Sequence, residues 1–78
     1  MMSRLVRVKV GPNLYKMTEK ELKGLLAVAS EQIPFGIYAV KKGDYVELVR
    51  ERCKTITQLK QRIRAYKAEG FGVYANKE

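Results

Sequence analysis

Residues 55–74 read TITQLKQRIRAYKAEGFGVY, and this stretch decides the fold. Thr55 is placed as a helix N-cap, and Gln58 three residues on completes a capping box. Ile56, Leu59, Ile63 and Tyr66 recur at helical spacing and form a stripe that needs burying. Gly70 supplies a left-handed terminator, after which Phe71 folds back on Tyr66. Residues 71–75 then read as a short aromatic strand. The unit is a capped amphipathic helix running directly into a strand.

Toward the N-terminus the same unit occurs once more. Phe35-Gly36-Ile37-Tyr38-Ala39 and Phe71-Gly72-Val73-Tyr74-Ala75 agree at F-G-I/V-Y-A, and each follows a capped helix. The first helix opens at Thr18, with Glu21 completing its box and Met17 and Leu22 forming a hydrophobic staple. Leu22, Leu25, Leu26, Ala29 and Ile33 are its stripe, and Pro34 stops it at or before Ile33. Gly24 in its middle costs about 1 kcal/mol relative to alanine and reads as a tolerated imperfection. Ahead of this helix residues 4–10 alternate, with Val6, Val8 and Val10 on one face, and Gly11-Pro12-Asn13 ends the strand. Between the copies, strands at 35–40 and 45–50 are joined by the hairpin turn Lys41-Lys42-Gly43-Asp44.

Strand, helix, strand, strand, helix, strand is the split βαβ order of ferredoxin-like domains. The expectation is an α+β sandwich: one domain over residues 1–78, a four-stranded antiparallel sheet with both helices on one face, and frayed ends at 1–3 and 76–78. The first and third strands would be central and the two FGxYA strands would be edges. The open sheet face would then carry Leu5, Arg7, Lys9, Tyr38, Val40, Tyr45, Glu47, Val49 and Tyr74.

Charge points to partners. The net charge is +8, and +6 of it falls between Arg50 and Lys67, where Arg50, Arg52, Lys54, Lys60, Arg62, Arg64 and Lys67 meet only Glu51. On a helical wheel Lys60, Arg64 and Lys67 share one flank of the second helix, within about 60° of arc. Few acids at i±4 cancel them. Such a field attracts polyanions.

The inventory for other chemistry is thin. With no histidine, one aspartate and one cysteine, the chain offers no nucleophile–base pair and no metal-ligand spacing. No phosphate loop is present either. A non-enzymatic protein is expected, with no cofactor, no metal and no small-molecule substrate. Cys53, between Arg52 and Lys54, reads as structural. No apolar run nears the ~20 residues that cross a bilayer, so a soluble cytoplasmic protein without membrane contact is expected.

Glu69-Gly70-Phe71-Gly72-Val73-Tyr74 resembles the aromatic signature strand of RNA-recognition motifs. It departs from that pattern by lying on the last strand and by placing Glu69 where that family has a basic residue. The family's central stacking positions are here Arg7, Lys9, Glu47 and Val49, so no function is carried over. Val8-Lys9-Val10-Gly11-Pro12 is similar to a strand-end pattern of SPOR-type peptidoglycan-binding domains, over these few residues only. In general character the chain resembles the small accessory proteins of bacteriophages and mobile elements.

Two function classes follow. The first is a nucleic-acid-binding accessory protein, largely indifferent to sequence. Arg50, Arg52, Lys54, Lys60, Arg64, Lys67, Arg7 and Lys9 would contact phosphates of DNA or RNA, and Tyr38, Tyr45 and Tyr74 would stack on bases. The alternative is a protein-interaction module, an inhibitor or adaptor on an acidic protein surface, or a homodimer. It would use the open sheet face through Leu5, Val40, Val49 and the tyrosines.

Overall fold

The computed structural model describes residues 4–77. Its elements are β1 (Leu5–Val10), β2 (Asn13–Thr18), α1 (Glu19–Gln32), β3 (Phe35–Lys42), β4 (Tyr45–Arg52), α2 (Ile56–Ala68) and β5 (Gly72–Lys77). The α+β character and both helices are as expected. The sheet is not: it has five strands in the order β2-β1-β4-β3-β5 and is mixed, where four antiparallel strands were expected.

The extra strand is β2, in residues expected to be a turn and a helix lead-in. Gly11, at φ +60°, and Pro12 form a two-residue loop between the paired residues Val10 and Asn13. Positive φ at the first loop position suits a primed hairpin turn, and proline's fixed φ suits the second. The chain then returns antiparallel along β1 as far as the pair Leu5↔Thr18.

That single reversal re-routes everything downstream. β4 runs parallel to β1, and β2 takes the outer edge of β1 that the last strand was expected to use. β5 therefore pairs with β3, and the two FGxYA copies lie antiparallel side by side instead of at opposite edges. β3 is interior, and the edges are β2 and β5.

The helices also part company. Ala39 packs with Val8, Leu22 and Val46 under α1, while the next residue, Val40, packs with Ile37 and Leu59 under α2. Neighbouring strand residues point to opposite faces, so the helices lie on opposite faces and not together as expected. Chain direction explains this. The units β2–α1–β3 and β4–α2–β5 each join parallel strands and cross the sheet in the same sense, but their strands run oppositely. A right-handed connection then requires opposite faces.

Two local features fix the register. The β3–β4 hairpin has the two-residue loop Gly43-Asp44, with Gly43 at φ +60° and Lys42 opposite Tyr45. Between Ile37 and Ala39 the register shifts against both neighbours, the extra residue falling on β3 where it faces β5 and on β4 where that strand faces β3, and Ala39 lies opposite Leu48 while Ile37 lies opposite Glu51 on the other face. A regular strand would have kept Ile37 and Ala39 on one face.

The helix signals hold with small departures. Thr18 and Glu21 form the reciprocal capping box. At α2 the Gln58 N–H donates to Thr55 Oγ1 at 3.1 Å, but Gln58 Oε1 accepts from Lys54 N–H at 2.9 Å and not from the cap itself. Gly70, at φ +85°, ends α2 in a Schellman motif, with Phe71 N–H donating to Tyr66 O and Gly70 N–H to Lys67 O. Ile56 is 44% exposed and stands outside the buried stripe. The expected fraying at 1–3 and 78 lies outside the described residues. Asn76 and Lys77 belong to β5, and the two N–H groups of Asn76 Nδ2 have three acceptors within reach, Ser30 O, Ser30 Oγ and Ile33 O at 2.6–3.0 Å.

Candidate nucleic-acid interface

With Leu59 buried against the sheet and Ile63 and Tyr66 half-buried beside it, α2 turns Lys60, Arg64 and Lys67 toward the β5 edge. There they line an open groove of about 510 Å³ together with Ile63, Val73, Ala75 and Lys77. Its rim is cationic and its floor aliphatic. Lys77 is a fourth cation that sequence reasoning left out. Strand alternation places it on the face of Val73 and Ala75, a signal lost by ending the strand at Ala75.

Among the described residues no carboxylate oxygen lies within 4.0 Å of these four cations. Four other cations, Arg7, Lys9, Lys42 and Arg62, are held by carboxylates. On the opposite flank of α2, Arg62 Nε and Nη2 donate to Glu51 at 3.2 and 2.9 Å, and the Tyr66 hydroxyl donates to the same carboxylate. The guanidinium lies 5.1 Å from the Tyr66 ring centroid. The Arg62 hydrogen bond holds the Glu51 carboxyl below the ordinary range, and Glu51 in turn raises Arg62. Burial first, then the Glu51 hydrogen bond, pushes the Tyr66 phenol up.

On the same sheet face, Arg7 pairs with Asp44 at 3.5 Å, and Lys9 and Lys42 share Glu47 at 3.9 and 2.6 Å. The Glu47 hydrogen bond raises the Lys42 ammonium, which also sits 5.4 Å from the Phe71 ring centroid.

The structure thus divides the eight expected phosphate contacts. Lys60, Arg64 and Lys67 share the groove, whereas Arg7 and Lys9 are paired on the sheet. Arg52 Nη2 donates to Gln32 O at 3.4 Å at the C-terminal end of α1. Arg50 borders a smaller, mainly apolar cavity between the ends of α1, β1 and β4. Lys54 stands in the loop before α2.

The expected stacking face does not form as a unit. The register shift and the β3–β5 pairing turn Tyr38 and Tyr74 to the α1 side, where their ring centroids lie 6.2 Å apart, tilted by 50°, against the Val8–Leu22 cluster. Tyr45 is on the other face, opposite Lys42 and Arg7. Val40 is fully buried under α2 and Val49 packs in the same cluster, so neither is an open-face residue. Of that expected set, Leu5, Arg7, Lys9, Tyr45 and Glu47 remain outside the part of the sheet that α2 covers, with Leu5 66% exposed.

Comparison with protein-family models, curated proteins and solved structures finds no match to this chain. Among the described residues no cluster of three or more His, Cys, Asp or Glu side chains is suited to a metal ion. Among the described residues no helix is long and apolar enough to cross a membrane.

Proposed function

We propose that this chain is a small basic nucleic-acid-binding protein that grips phosphates with the α2–β5 groove and reads little or no sequence. One observation carries the reading: Lys60, Arg64, Lys67 and Lys77 share one open groove, and no described carboxylate neutralises them. Cations paired within the fold already spend their field on an internal partner, while these four direct theirs outward. Phosphate neutralisation with counterion release is the dominant sequence-independent term in nucleic-acid binding.

A second reading rests on a different feature of the same place. The outer edge of β5 is unpaired and its groove floor is aliphatic, a geometry that suits an extended acidic peptide adding as a sixth strand.

Fluorescence anisotropy with labelled DNA and RNA across a salt series tests the first reading. Affinity should fall with salt along a log–log slope of about −3 to −4, as roughly four phosphate contacts require. The pair Lys60→Glu and Arg64→Glu should weaken binding at least about tenfold at low salt while circular dichroism stays unchanged. Absence of binding to any DNA or RNA at low salt removes this reading and leaves the acidic-peptide one.

A further inference from the structure

We infer that the nucleic acid taken by the groove is double-stranded, contacted along its backbone and not through its bases; this rests on the nucleic-acid reading above. A protein that prefers single strands needs a platform on which unpaired bases stack, each stacked base contributing about 1–3 kcal/mol. The groove has none. Its lining is Lys60, Ile63, Arg64, Lys67, Val73, Ala75 and Lys77, without an aromatic ring.

The aromatic side chains of the chain are committed or placed elsewhere. Tyr38 and Tyr74 pack on each other against the α1 cluster. Tyr66 and Phe71 pack together, with the Tyr66 hydroxyl on Glu51, and Phe35 is in the same α2 cluster. Tyr45 pairs into the sheet opposite Arg7 and Lys42. Tyr15 is on β2, at the far edge of the sheet from β5.

The floor adds a second argument. Ile63, Val73 and Ala75 present no side-chain donor or acceptor to a base edge, so an unstacked base entering the groove would leave its polar edge unpaired. A duplex keeps those edges paired internally and offers only phosphates to the rim. The charge spacing agrees. Lys60 to Lys67 spans about 10 Å of helix axis at 1.5 Å per residue. Over that length a duplex presents about six phosphate charges and a single strand about half as many.

The test compares a labelled mixed-sequence duplex with each of its strands alone, in DNA and in RNA, at one low salt concentration. The duplex should bind about tenfold or more tightly than either strand in at least one of the two chemistries, since stacking gains are missing and charge density decides. Two duplexes of unrelated sequence should bind alike, and Tyr45→Ala should leave duplex affinity unchanged. A single strand bound as tightly as its duplex in both chemistries overturns the inference while leaving the nucleic-acid reading standing. So does a large loss of affinity in Tyr45→Ala. If neither form binds in either chemistry, the nucleic-acid reading itself falls, and this inference with it.

Discussion

Gly36 and Gly72 hold the same place in the two FGxYA copies, yet the structure gives them different work. Gly36 is buried at φ +148°, and a Cβ there would meet Glu51 O at 2.0 Å. The same atom at Gly72 meets only Lys41 Cβ, at 3.3 Å. Gly36→Ala should therefore destabilise the protein by at least about 3 kcal/mol, the clash adding to a backbone conformation that alanine avoids. Gly72→Ala should cost about 1 kcal/mol or less. Urea melts of both variants check this, and equal losses would refute the assignment. Glu51, whose carbonyl crowds Gly36, carries a second residue-scale prediction through its side chain. Glu51→Gln weakens the Arg62 pair and the Tyr66 hydrogen bond together. The loss should be about 1–2 kcal/mol, toward the lower end because Arg62 is half exposed and screened. The pH dependence follows from the direction of each shift. Glu51 is lowered in the fold, so its contribution is complete above the ordinary carboxylate range and is lost as pH falls through the folded value. Tyr66 is raised, so its contribution is complete below the ordinary phenol value near 10 and is lost as pH rises through the folded one. Thermal melts of Glu51→Gln should show a shallower acid limb than the parent, and an unchanged limb would refute the link.

At the scale of elements, α1 and α2 were legible because their signals are local. The Thr18–Glu21 box, the apolar stripes and the Gly70 terminator each act within a few residues. Gly24 is the imperfection it was read as, since a Cβ there meets nothing within 4 Å. Gly24→Ala should accordingly stabilise the protein by about 0.5–1 kcal/mol, visible as a raised melting temperature; destabilisation would mean a neighbour needs the space. β2 was not legible for two reasons. Its apolar residues Leu14 and Tyr15 are adjacent and both exposed, so the stretch shows no period-two pattern, and its last residue, Thr18, is also the N-cap of α1. A cap read correctly thus hid the strand that ends on it. The consequence was non-local, because one reversal of the chain decides which strands run parallel and which face each helix covers. No stripe carries that information.

Across the whole molecule, the candidate site was partly visible in sequence for the same reason as the helices. The arc from Lys60 through Arg64 to Lys67 follows from helical spacing, but the groove exists only because β5 lies beside α2 at the sheet edge. The tyrosine face failed because the register shift between Ile37 and Ala39 and one exchanged strand partner moved two of its three rings to the other side. A net charge of +8 would attract polyanions even without a site, so the distinction between site and bulk charge needs its own measurement. Two double reversals supply it. Lys60→Glu with Arg64→Glu removes charge from the groove, and Lys20→Glu with Lys23→Glu removes it from α1 on the opposite face; each takes the net charge from +8 to +4. If the groove makes the contact, the first pair should lower duplex affinity at least about tenfold and reduce the salt slope by about two, while the second changes affinity by about threefold or less and keeps the slope. Equal losses would mean that the field of the whole molecule binds and the groove does not, because only direct contacts set the number of counterions released.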